Sequence, residues 1–188
     1  MTLYPAFLKL TGRPVLLVGG GRVAAGKLHG LLDAGARVTV VAPSIGAGMR
    51  WEGVRIVIRP FEPEDLDGCW FVVAAATPQV NRRVAEMAEA RRIFINAVDD
   101  PEAASAYLGA VLRKGGATVA ISTEGRAPAL AGLLREGLER VLPDDLAAWV
   151  TSAERLRVRW REDRVPIAAR RPLLLRALEE LYSARGRA

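Results

Sequence analysis

With 188 residues, 51% of them hydrophobic, the chain is sized for one large domain, or one domain with a small appendage, and is too apolar for a disordered polymer. Its net charge of +6 and sequence pI near 10.2 admit a nucleic acid, a membrane surface or a polyanionic small molecule as partner. Cys69 is the single cysteine and His29 the single histidine, which excludes an internal disulfide and a cysteine zinc cluster and leaves no metal site expected.

Met1 to Leu10 lack the basic start and long apolar run of a signal peptide. The longest apolar stretch, Phe71 to Ala76, falls far short of the ~20 residues that span a bilayer. A cytoplasmic protein with no membrane partner is expected. Val15 to Val18 is a continuous apolar run between Pro14 and Gly19, as in a strand buried on both faces. Ala24, Leu28, Leu31 and Leu32 then recur at helical spacing, and Gly35 stands where a helix C-terminal glycine belongs. Val38 to Val41, stopped by Pro43, is a second strand, completing a βαβ unit with a right-handed crossover. Further strands are expected at Val54 to Ile58, Cys69 to Ala75 and Ile93 to Val98, with a helix over Asn81 to Ala90. Cys69, beside Trp70 and Phe71, reads as a small core hydrophobe. The pattern is that of a doubly wound, parallel α/β sheet of Rossmann type over residues 1–113.

The composition shifts near Lys114. Gly115-Gly116 reads as a hinge, and Thr118 to Ser122 as an isolated strand. Pro128 opens a helix whose stripe is Leu130, Leu133, Leu134, Leu138 and Val141. One strand and one apolar helix cannot bury themselves, so residues 114–143 are expected to be a dimerisation segment in a homodimer. Pro143-Asp144-Asp145 ends that helix. Residues 144–188 read as an Arg-rich helical domain, in which Pro172 starts a last helix bearing Leu174, Leu175, Leu178, Leu181 and Tyr182. Arg155, Arg157, Arg159 and Arg161 invite a nucleic-acid reading, but they alternate with Leu156, Val158 and Trp160, and a solvated face or domain contact is preferred; no nucleic-acid partner is expected.

Gly19-Gly20-Gly21-Arg22-Val23-Ala24 fits G-x-G-x-x-A between a strand and a helix, the context a dinucleotide-binding turn requires. Gly19 permits the tight turn, Gly21 lets a pyrophosphate approach the backbone, and Ala24 lets helix and strand pack closely. The N–H groups of Arg22, Val23 and Ala24 then face the phosphates. The acidic residue expected ~20 positions on is missing; Ala42-Pro43-Ser44 stands there instead. Pro43 and Ser44 or a backbone group are expected to take the ribose. No basic residue sits there to hold a 2′-phosphate, Arg50 lying further on, so NAD is favoured over NADP.

Other segments extend the pattern: Tyr4 to Leu8 before the first strand, Lys27 after the glycine turn, Leu31 to Val40 followed by Ala42-Pro43, Ala75-Ala76-Thr77, Asn81 to Val84, Asn96 to Pro101, and Ile121 to Ala131. In this order they resemble the dehydrogenase module of siroheme synthases, the precorrin-2 dehydrogenase/sirohydrochlorin ferrochelatase family. The resemblance spans residues 1–142 and is specific in the Asn-x-Val-Asp-Asp-Pro and Ser-Thr-x-Gly-x-x-Pro-Ala-Leu-Ala segments. Gly26 stands where the family usually has arginine, and Gly109 where proline is common. No methyltransferase module is expected, and the helical tail is short.

The resemblance implies NAD-dependent oxidation of precorrin-2, a polycarboxylate tetrapyrrole, to sirohydrochlorin. Ferrous iron insertion stays open, the short tail favouring dehydrogenation alone. It implies Asp99 as the catalytic general base, with Asp100 as the spare candidate and an N-cap or turn role as the bland alternative. Ala76 and Thr77 fall on the cofactor side, and Asn96, Ser122, Thr123 and Arg126 on the substrate side. Ser122 and Thr123 could equally start a turn, and Arg126 could be a solvated loop arginine. The competing reading is a non-catalytic regulatory domain that binds NAD.

Overall fold

The computed structural model describes residues 3–47 and 51–185; Arg50 lies outside the described residues. The chain divides into two compact units, Met1–Leu108 and Gly109–Ala188. In the first, β1 (Pro14–Val18), β2 (Arg37–Ala42), β3 (Arg55–Ile58), β4 (Phe71–Ala74) and β5 (Phe94–Ala97) form one sheet in the order β3-β2-β1-β4-β5. Every pairing is parallel. Val18 lies opposite both Val41 and Ala74, and Ala74 opposite Ala97. The strands β1, β2, β4 and β5 therefore end together along one edge.

The continuous apolar runs follow from burial on both faces. Val15, Leu17, Val38, Val40 and Val73 point to one side, where α1 (Arg22–Asp33) supplies Ala24, Leu28 and Leu31. Leu16, Val18, Val41, Val72 and Ala74 point to the other, where α2 (Pro78–Ala90) supplies Val84, Ala85 and Ala88. Each fully buried Leu or Val contributes about 1.5–3 kcal/mol of transfer free energy. No helix connects β3 to β4. A 3₁₀ turn at Pro63–Leu66 takes its place, with Phe61 and Leu66 buried under the sheet. Arg59 grips Asp65 through two hydrogen bonds of 2.8 and 2.6 Å, and this guanidinium holds the Asp65 carboxyl below its ordinary pKa.

The expected strand at residues 69–75 is shorter. Cys69 and Trp70 lie between the turn at Asp67 and Gly68 and the start of β4. Cys69 is half-buried, its thiol donating to the Asp65 carbonyl at 3.3 Å, and burial raises its pKa. The exposed Trp70 ring carries the Arg13 guanidinium 3.3 Å from its centroid, a cation–π contact.

In the second unit the expected lone strand has a partner. β6 (Ala110–Lys114) and β7 (Ala117–Ile121) form an antiparallel hairpin. Gly115 and Gly116, expected as a hinge, are its two-residue turn, with φ of 55° and 83°. Two successive positive φ values make the turn that matches strand twist, and glycine meets them without strain. α3 (Pro128–Val141) packs on β6. Lys114 Nζ donates to the Leu142 carbonyl at 2.8 Å and to Asp144 Oδ1 at 2.9 Å, closing the C-terminus of α3. α4 (Leu146–Glu162) and α5 (Ile167–Arg185) pack together behind it. Pro172 does not open the last helix but sits inside α5. Pro166 precedes that helix and Arg170 donates back to the Val165 carbonyl at 3.1 and 3.0 Å, so the start is fixed before Pro172 is reached. No helix of the described residues is long and apolar enough to cross a membrane.

Candidate active site

In an open parallel sheet, ligands bind beyond the carboxyl ends of the strands where the strand order reverses, here between β1 and β4. Gly19 leaves β1 with φ +123°, and a Cβ there would stand 2.3 Å from the Ala75 carbonyl oxygen. The backbone passes so close to the β4 exit that only glycine fits. At Gly20 a Cβ would meet the Ser44 carbonyl at 2.1 Å, while the Gly20 carbonyl accepts the Gly46 N–H at 2.8 Å. Gly21 differs from both, since nothing lies within 4 Å of its missing Cβ. α1 then starts at Arg22 with no side chain capping it and no acidic residue in its first turn. Ala24 is fully buried against the sheet, whereas Arg22 and Val23 are exposed. An open glycine in front of an uncapped, positively polarised helix start fits the pyrophosphate of a dinucleotide.

The other positions expected on the cofactor side surround this turn. β2 ends at Ala42, and Pro43 and Ser44 follow as exposed residues. Ala76 and Thr77 leave β4, with Thr77 as the exposed N-cap of α2. The Ala76 N–H donates to Asn81 Oδ1 at 3.0 Å, and Asn81 Nδ2 donates to the Val98 carbonyl at 3.2 Å. Asn81 is 3% exposed, one of two buried polar residues among those described. The sequence reading did not single it out. Its signal was there: Asn81, Val84, Ala85 and Ala88 share the buried face of α2, so it is an amide in an apolar stripe. Gly20 was likewise passed over, as the wildcard of the glycine motif.

Beyond β5 the chain turns through Val98 and Asp99. The Val98 N–H donates to the Ala74 carbonyl at 2.9 Å. Asp99 has φ +59°, the left-handed region that aspartate tolerates at some cost in strain and that recurs at functional sites. Its side chain is exposed and enters no hydrogen bond or ion pair among the described residues. Asp100 is committed elsewhere. Its Oδ2 accepts from Arg82 Nε at 3.0 Å and its Oδ1 from the Ala103 N–H at 3.3 Å, and Arg82 lowers its pKa. Asn96 is buried in β5, its amide donating to the Ala106 carbonyl at 3.0 Å.

Ser122, Thr123 and Arg126 belong to the second unit, in the loop between β7 and α3. Both hydroxyl oxygens serve the turn: Ser122 Oγ accepts the Glu124 N–H and Thr123 Oγ1 the Ala127 N–H, each at 3.1 Å. Each hydroxyl keeps a proton to donate. Arg126 is exposed and pairs with Glu124 at 3.1 Å.

The chain belongs to the family described as putative NAD(P)-binding, which its residues 6–110 match. It is 44% identical over 164 residues to siroheme synthase 1 of Aeromonas hydrophila subsp. hydrophila, covering 85% of this chain and 35% of that protein. The siroheme synthase of Salmonella typhi is 41% identical over 172 residues, 89% of this chain and 38% of that one. The chain thus spans about a third of the length of these relatives. Among solved structures, SirC, a precorrin-2 dehydrogenase, superposes with a TM-score of 0.71 and 28% identity, over 93% of this chain and 88% of that one.

Proposed function

We propose that the chain is an NAD-dependent dehydrogenase that oxidises precorrin-2 to sirohydrochlorin. The observation that carries the reading is the pairing, along one sheet edge, of an uncapped helix start on an open glycine turn with the uncommitted carboxylate of Asp99. Similarity to SirC over nearly the full length of both chains supports the substrate. When bound, the nicotinamide supplies a hydride acceptor. Asp99 takes the proton that leaves the macrocycle, so two hydrogens depart precorrin-2 as one hydride and one proton. Asp100, already gripped by Arg82, is the poorer base. Gly19 and Gly21 with the Arg22, Val23 and Ala24 amides take the pyrophosphate. Pro43 and Ser44 border the adenine ribose, where the Ala42-Pro43-Ser44 segment offers no basic residue for a 2′-phosphate, and Ala76 and Thr77 border the nicotinamide half. Asn96, Ser122, Thr123 and Arg126 are assigned to the substrate side, Arg126 as a partner for its carboxylates.

The exposed α3 stripe of Leu130, Leu133, Leu134, Leu138 and Val141 supports a homodimer as the working form. We place the reaction in the cytoplasm, where NAD is drawn upon. The test is to incubate the purified chain with precorrin-2 and either NAD or NADP, with and without ferrous iron, and follow product spectra. Free sirohydrochlorin formed faster with NAD, with iron adding no siroheme, is the expected result. Binding of NAD without oxidation of precorrin-2 would favour a regulatory nucleotide-binding domain, and iron-dependent siroheme would assign the second activity as well.

A further inference from the structure

Asp99 stands in a left-handed turn with no bond to its own side chain among the described residues, yet both its neighbours are fixed by consecutive residues of one helix turn. Asn81 Nδ2 donates to the carbonyl of Val98 at 3.2 Å. Arg82 Nε donates to the carboxylate of Asp100 at 3.0 Å. Asn81 also accepts the Ala76 N–H at 3.0 Å, and so ties the loop leaving β4 to the loop leaving β5. Val98 is held at its amide as well, the N–H donating to the Ala74 carbonyl at 2.9 Å. An amide carried on the apolar face of α2, 3% exposed, costs desolvation that an apolar residue would avoid. Its two hydrogen bonds offset that cost only with both loops in place. Arg82, by contrast, is largely exposed, and its ion pair with Asp100 contributes little to stability.

We propose that Asn81 and Arg82 are positioning residues that together hold Asp99 against the cofactor-side loop at Ala76 and Thr77. The proposal rests on the reading of Asp99 as the base. Asn81 sets the spacing between the two loops by bonding to both. Arg82 sets the direction in which the chain leaves Asp99 by anchoring Asp100. Neither touches substrate, and each acts through the placement of the Asp99 carboxylate.

The test is a pair of double-mutant cycles on the full chain. Asn81→Leu keeps the branching and heavy-atom count of the side chain and removes both loop bonds, while Arg82→Gln changes an exposed residue and leaves the core intact. Each is made alone and with Asp99→Asn, and kcat and KM for precorrin-2 are read with the affinity for NAD. Misplacement of a catalytic group by an ångström can lower rate by ~10²-fold, so kcat should fall at least ~10-fold in Asn81→Leu and ~3-fold in Arg82→Gln, with KM changed less. In the Asp99→Asn background both effects should shrink toward none, because the group being positioned is gone. Effects that simply multiply with Asp99→Asn overturn the proposal and make both residues structural. If Asn81→Leu does not fold, the Arg82→Gln cycle decides by the same criterion. A near-normal kcat in Asp99→Asn itself would instead overturn the base assignment, which separates the two failures.

Discussion

Three adjacent glycines make unequal demands, and substitution separates them. Gly21 faces open space, so the Cβ of Gly21→Asp meets no protein atom, while its carboxylate is set against the pyrophosphate. Like-charge juxtaposition costs several kcal/mol, and NAD affinity should fall by at least ~100-fold by calorimetry, with the melting temperature not lowered, since aspartate is a favourable helix N-cap. Unaltered affinity would remove the turn from the cofactor site. At Gly20 the expectation is reversed. A Cβ there lies 2.1 Å from the Ser44 carbonyl, so Gly20→Ala should destabilise the fold by about 1–3 kcal/mol in urea unfolding, as overpacking does. Asp99→Ala removes the proposed base and leaves the glycine turn alone. Dehydrogenation should fall by ~10²–10⁴ while NAD affinity stays near wild type.

At the level of elements, the link from β3 to β4 depends on a charge pair. Asp65 accepts from Arg59 at 2.6 and 2.8 Å and from the Glu62 N–H at 2.9 Å, and its folded pKa lies below the ordinary 3.8. A carboxyl depressed on folding adds stability that is fully present above its unfolded pKa and is lost as pH falls through the folded one. Asp65→Asn should therefore be less stable than wild type at neutral pH. The gap should close in acid, below the ordinary carboxyl range, and a gap independent of pH would contradict the assignment. α3 carries its own test. Leu133 is 64% exposed and Leu134 46%, a stripe that suits a second copy of the chain. Sedimentation should show a dimer that Leu134→Arg dissociates, and a wild-type monomer at micromolar concentration would contradict it.

Across the whole molecule, the first unit was the more legible in the sequence. Parallel strands buried on both faces have to be apolar throughout, and Val15 to Val18 and Val38 to Val41 announce themselves that way. The glycine turn declared itself because its spacing is set by contacts within a few residues of it. The second unit was harder to read. Ala110–Lys114 pairs with its neighbour in a hairpin of which only Leu112 is buried; its sequence, three apolar residues and then Arg113-Lys114, shows neither alternation nor a long apolar run, so it gives no clear strand signal and Gly115-Gly116 reads as a hinge. Pro172 misled because a proline's usual place opening a helix outweighed Pro166 just before it. The clamp on Asp99 was only half legible: an amide in an apolar stripe marks Asn81, but not its partner. Asn81 reaches a carbonyl 17 residues away, and no local pattern records a bond across that distance. The central claim, that one chain joins a dinucleotide turn to a base for oxidising a tetrapyrrole, is tested most directly by stoichiometry. Purified protein given precorrin-2 and excess NAD, with no iron present, should form one reduced nicotinamide per sirohydrochlorin over repeated turnovers. Tight NAD binding with precorrin-2 left unoxidised would contradict it.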